Sequence, residues 1–135
     1  MDLWNFVEEN DVERTKSLIS REQIREIEAV IGVPFGVELT RYVISYGYLA
    51  CGAVEFYGIN SKQMLDSDMV RQSLYLHKYF PHTAKYVALE NQGDGDYFIV
   101  GSDDSVFEYI SENDNLKDVK MKLSEYILKR LEGVI

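Results

Sequence analysis

Cysteine is nearly absent: Cys51 is the only one in 135 residues. No disulfide can form within the chain, which excludes a small stapled scaffold and fits a reducing compartment. Histidine is almost as scarce. His77 and His82 stand five apart rather than at the four-residue spacing of a helical zinc pair, and no third ligand accompanies them. No apolar run approaches the roughly 20 residues of a membrane-spanning helix. Met1 to Val12 carry Asp2, Glu8, Glu9 and Asp11 and lack the basic segment and apolar run of a signal peptide, so a cytoplasmic location with no membrane partner is expected. Basic residues are also few. Fourteen Lys and Arg against 23 Asp and Glu give a net charge of -9. Such a surface repels phosphates and disfavours a nucleic-acid partner. It attracts basic proteins and speeds encounter with them, although acidity also serves solubility alone.

What the chain does contain is enough apolar material for one core. Hydrophobic residues make up 46%, and ten Tyr and six Phe run from end to end. The length suits one domain over residues 1–135, with no repeat, linker or low-complexity tract. Leu3, Phe6 and Val7 predict a short amphipathic helix within Met1 to Glu13. Ser20 and Gln23 form a capping-box pattern before Ile24, Ile27 and Ile31, and Gly32 and Pro34 close that helix. A third helix is expected over Val37 to Ser45, stopping at Gly47.

The pattern then alternates. Ala53 to Ile59 reads as a strand, with Val54 and Phe56 on one side and Glu55 and Tyr57 on the other. Asp66 to Tyr79 returns to helical spacing through Met69, Val70, Leu74 and His77. Three short strands follow, Lys85 to Leu89, Asp96 to Val100 and Val106 to Ile110, separated by Gly- and Asp-rich turns that favour an antiparallel meander. Leu116, Val119, Leu123, Ile127 and Leu131 predict one long C-terminal helix. The fold class is therefore α+β: a mainly antiparallel sheet flanked by N-terminal, middle and C-terminal helices.

Catalytic signatures fail one by one. Asp94, Asp96, Asp103 and Asp104 could pair as metal ligands or as acid and base. Counted from Asp94, however, the calcium-loop template meets Phe98, Ile99 and Ser105 where it needs an acid or amide, a glycine and a glutamate. Turn formation is the competing and simpler role for these residues. Gly93-Asp94-Gly95 lies between strands, whereas a phosphate loop leads into a helix. Cys51 sits in a small-residue bend with no motif tying it to a histidine base. No catalytic residue, metal site or cofactor is expected, and the chain reads as a non-enzyme.

Several blocks together carry a resemblance. They are Ile27-Glu28 with Ile31-Gly32-Val33-Pro34-Phe35 and then Leu39, Tyr42, Val43 and Tyr46-Gly47; Glu90 to Phe98 around Gly93-Asp94-Gly95-Asp96; Asp103 to Tyr109; and Leu123 to Leu128. In this order they resemble the SUKH superfamily, which includes the fungal Smi/Knr cell-wall regulators and many bacterial immunity proteins. Phe35-Gly36 and Tyr48-Leu49-Ala50 depart from the usual Leu-Pro-like pair and Asn-Gly-Gly-type turn. The resemblance implies an α+β domain that binds protein, and in the bacterial branch an antitoxin against a secreted or contact-delivered toxin, often a nuclease. One fold carries many specificities, so a regulatory module with no toxin partner stays open beside the immunity reading.

A toxin that grips nucleic acid has a basic cleft, and its inhibitor should offer acids and aromatic anchors. The candidates are Glu55 and Tyr57 on the first strand, Asp94, Asp96 and Tyr97 at the first turn, and Asp103, Asp104, Glu108 and Tyr109 beyond. Core packing is the competing role for each tyrosine. Oligomeric state is not legible at this level.

Overall fold

A computed structural model describes residues 2–59, 68–133 and 135. Helix α1 (Leu3–Glu9) starts at Asp2, whose carboxylate accepts the Asn5 N–H at 2.9 Å, and it buries Leu3 and Val7. It is shorter than expected because the chain reverses at Asp11, which has a positive φ of 49°, and enters strand β1 (Glu13–Lys16). Glu13, Arg14, Thr15 and Lys16 give no apolar alternation. Pairing with a later strand, rather than pattern, makes this segment a strand.

A single 3-10 turn over Arg21–Gln23 leads into α2 (Ile24–Ile31). The expected capping contact is present, with the Ser20 N–H donating to Gln23 Oε1 at 2.9 Å. Gly32 ends α2 with a φ of +84° and donates its N–H to the Glu28 carbonyl at 2.7 Å. A side chain there would clash with its own backbone. Helix α3 (Val37–Ser45) buries Leu39, Tyr42 and Val43.

Gly47 does not begin a turn. The chain passes directly into β2 (Tyr46–Cys51), so Tyr48, Leu49 and Ala50, which replace the usual Asn-Gly-Gly-type turn, form the middle of a strand, and the bend expected around Cys51 falls just after it. Leu49 and Ala50 are both buried, which hides the period-two signal. A tight turn at Gly52 and Ala53 gives β3 (Val54–Phe56), and β1, β2 and β3 form an antiparallel sheet in that order. Gly58 follows at a point of close approach: a Cβ there would lie 1.7 Å from the Gly47 carbonyl oxygen.

Helix α4 (Met69–Tyr79) is capped by Asp68, which accepts the Arg71 N–H at 2.9 Å. The expected start at Asp66 lies outside the described residues. The helix buries Met69, Ser73 and Leu76, while Leu74 is exposed, so its inner face is rotated from the one expected through Leu74 and His77. Ser73 is the reason: its buried hydroxyl accepts the Ala88 N–H at 2.8 Å and ties α4 to the next strand. A 3-10 turn at Pro81–Thr83 then leads to β4 (Val87–Asn91), two residues later than expected.

Strands β5 (Asp96–Val100) and β6 (Ser105–Ile110) continue the expected meander. The stretch expected as the first half of a long helix is β7 (Asn115–Lys122), and only Leu123–Leu131 form helix α5. The sheet order is β4-β5-β6-β7, antiparallel throughout. Ser105 pairs with Lys122 but Phe107 with Asp118, so β7 carries two extra residues, and Lys120 takes a positive φ of 63°. This bulge brings Leu116 and Val119, three apart, to similar half-burial and so imitates helical spacing.

The two sheets meet where the Tyr57 N–H donates to the Leu89 carbonyl at 2.8 Å. Helix α5 buries Leu123, Tyr126, Ile127 and Leu131 and touches α1, α3 and β6, while α4 packs against β4. The architecture is α+β: among the described residues, five α-helices surround two antiparallel sheets.

Candidate protein-binding surface

The four aspartates that invite a metal reading are separated by β5. Asp94 and Asp96 lie at one end and Asp103 and Asp104 at the other, about 16 Å apart at ~3.3 Å per strand residue. Among the described residues, no group of three His, Cys, Asp or Glu side chains converges as a metal site would require.

Asp104 is 6% exposed, and its two oxygens accept the N–H groups of Glu38 and Leu39 at 3.0 and 2.9 Å. It caps α3 and cannot meet a partner, which corrects its place among the candidate contacts. Asp103 stays exposed, but its carboxylate is turned inward on its own loop. It accepts the Ser105 N–H and hydroxyl, each at 3.0 Å, with Lys122 Nζ at 3.5 Å. The backbone and hydroxyl hydrogen bonds from Ser105, with Lys122 beside them, hold its carboxyl below the usual range.

The three candidate tyrosines are all in the core. Tyr57, Tyr97 and Tyr109 are buried, so none is a surface anchor. Tyr57 follows Phe56 inward because β3 ends there and its backbone bonds to β4. Tyr97 and Tyr109 pair across β5 and β6 on one face of the second sheet, where Phe80 packs on Tyr109 with ring centroids 5.6 Å apart. The Tyr109 hydroxyl donates to Asp114 Oδ1 at 2.5 Å; burial, with that carboxylate beside it, pushes the phenol up to about 12. Burial raises Tyr97 and Tyr57 as well.

Of the remaining candidates, Asp94 is exposed and Glu55, Asp96 and Glu108 are half-buried. Glu55 stands on the β2–β3 hairpin, in the other sheet from the rest. Glu108 belongs to a row running straight across the second sheet, Glu90, Phe98, Glu108 and Lys117. A groove of about 350 Å³ lies on this row beside Met121, Tyr126 and Arg130. Below it, Glu90 is 3% exposed and accepts Arg130 Nη2 at 2.5 Å and the Tyr126 hydroxyl at 2.7 Å. Burial opposes the charge on Arg130, but the hydrogen bond and charge of Glu90 outweigh it and the guanidinium pKa is raised. This trio fixes the end of α5 to the sheet and leaves the groove floor largely satisfied.

Exposed acids are spread over the surface, from Asp2, Glu8, Glu9 and Asp11 around α1 to a further group at the turns that end the second sheet. The β4–β5 turn bearing Asp94 and Asp96 abuts the β6–β7 turn bearing Glu112 and Asp114: a Cβ on Gly95 would lie 2.6 Å from Ser111 Oγ. Asp114 also meets His82 Nδ1 at 2.6 Å. Beside these turns the end of α4 presents Tyr75 and Tyr79, 44% and 57% exposed, with ring centroids 4.9 Å apart. They are the only exposed aromatic residues among those described. The pattern along the sequence passed over them, although their four-residue spacing beside the Met69–Leu76 stripe puts both on one flank of α4.

A family model described as SUKH_5, SMI1-KNR4 cell-wall, matches residues 3–132. Comparison with curated proteins finds no match.

Proposed function

The chain belongs to the SMI1-KNR4 family, and from that premise we propose that it is an immunity protein: a cytoplasmic, non-catalytic antitoxin that binds a cognate bacterial toxin. The match over residues 3–132 supports this reading, since members of the family are known for protein interactions. The net charge of -9 gives the partner its sign. A nuclease toxin fits best, because a cleft that holds phosphates is basic and an acidic protein both finds it quickly and covers it. A standard interface of roughly 1,600 Å² would suffice. The test is co-expression with the toxin domain encoded beside the gene. Restored growth is expected, and failure to protect against every adjacent candidate would sink the reading.

A second reading is favoured by the description of the family itself, which names the cell wall. In it the chain is a regulatory interaction module of the Smi/Knr type with no toxin partner. Recovery of one stable housekeeping partner from cells without any toxin locus would favour this alternative.

A further inference from the structure

We propose that the interface is the sheet end around α4, with Tyr75 and Tyr79 as its aromatic anchors and a basic, arginine- or lysine-bearing protein surface as its occupant. The inference rests on the immunity reading for its partner but not for its location. Tyr75 and Tyr79 are held rather than loose: their rings tilt against each other at 4.9 Å, Tyr75 lies 6.4 Å from Phe80, and Phe80 lies 5.6 Å from buried Tyr109. A stack braced from the core outward loses little freedom on binding, which is what makes tyrosine an efficient anchor.

The charge around the pair selects the occupant. Asp94, Asp96, Glu112 and Asp114 lie on the two adjoining turns. Against them stand Arg71, exposed one turn before Tyr75 on the same flank of α4, Lys78, 5.3 Å above the Tyr79 ring, and His82 on Asp114. Lys78 shows that the Tyr79 face already accommodates a cation, and a partner guanidinium can use the same attraction. Four carboxylates against the two fixed cations Arg71 and Lys78 leave the balance acidic, so a positive surface gains both steering and pairing here. The groove beside Met121 also carries acids, Glu108 and Asp118 against Lys117, but its rings, Phe98 and Tyr126, are half-buried or buried, so it offers no exposed aromatic anchor.

The location is tested on the protein alone with a hexa-arginine peptide as probe, followed by amide and aromatic NMR shifts. Shifts centred on Tyr75, Tyr79, Asp94 and Glu112 are expected. Shifts centred on the β7 groove or on the acids of α1 would overturn the location while leaving the immunity reading intact. In complex with the toxin domain found by co-expression, Y75A and Y79A should each weaken affinity at least about tenfold, with thermal unfolding unchanged and V37A as a distant control. Full affinity in both tyrosine variants sinks the proposal. Self-association of the chain through this face, seen by sedentation at micromolar concentration and lost in Y75A, also overturns it. Absence of any toxin complex tells instead against the functional reading.

Discussion

Asp104 and Leu39 are 65 residues apart, yet the Asp104 carboxylate accepts the Leu39 N–H at 2.9 Å and so completes the first turn of α3. The same loop accepts the Leu123 N–H at the start of α5 through the Asp104 carbonyl, at 2.9 Å. Glu38 on α3 reaches across in turn to accept the Ser124 N–H at 2.7 Å. Two helix beginnings and one β-turn are thus satisfied by one another. D104A should lower stability by about 2 kcal/mol, with D104N recovering part of it, because a buried cap loses both its bonds and its charge. Urea unfolding midpoints measure this. Partner affinity per folded molecule should not change, and a D104A protein as stable as the parent would contradict the capping role.

Glu90 and Arg130 make a second prediction. R130A leaves a carboxylate buried without its cation and should cost about 3 kcal/mol or more. The pair E90Q/R130M should be much closer to the parent than R130A alone, since an amide and a thioether need no compensation of charge. A double-mutant cycle by chemical unfolding measures the coupling, and additive single effects would refute it.

Alkaline pH should unfold the protein. Tyrosine ionises near 10 when exposed, whereas Tyr109 is pushed up to about 12 and burial drives Tyr42, Tyr57 and Tyr126 upward as well. The folded chain keeps protons that the unfolded chain releases. The stability these groups contribute is therefore full below about pH 10 and is lost as pH rises through 12. Thermal midpoints should fall over that interval. Absorbance at 295 nm should show a late phase of tyrosine ionisation coincident with loss of the far-ultraviolet dichroism. Ionisation of all ten tyrosines before any unfolding would disprove the burial argument.

Salt should act on the encounter. With a basic partner, raising salt from 50 to 500 mM should slow association by tenfold or more and change dissociation little. Stopped-flow mixing at several ionic strengths separates the two rates. An association rate indifferent to salt would remove the electrostatic basis of recognition.

The helices with local punctuation were legible along the chain: Gly32 and Pro34 close α2, and Val37–Ser45 has the bounds the pattern predicts. The β5 and β6 strands were equally clear, because turn residues flank each one. What stayed hidden was set by distant partners. Strand β1 has no apolar residue to mark it, β2 is buried too evenly to alternate, and the β7 bulge turns a strand into apparent helix spacing. At the candidate surface, the turn residues around Asp94 are visible in the sequence, with Asp96 opening β5, while Tyr57, Tyr97 and Tyr109 lie inside. A tyrosine's sequence position does not say which face of its strand meets the core. Tyr75 and Tyr79 were passed over because Leu74 and His77 suggested a different inner face for α4, and the Ser73 hydroxyl that fixes the rotation has no sequence signature.

The outermost strand of the second sheet carries Lys117, Lys120 and Lys122 along its length, with a kink at Lys120. A foreign strand docking there would have to lie flat against a bent backbone and bury ammonium groups, so the row of open backbone sites is a poor template. A chain whose open edge is guarded in this way can accumulate to high concentration without seeding fibres of itself.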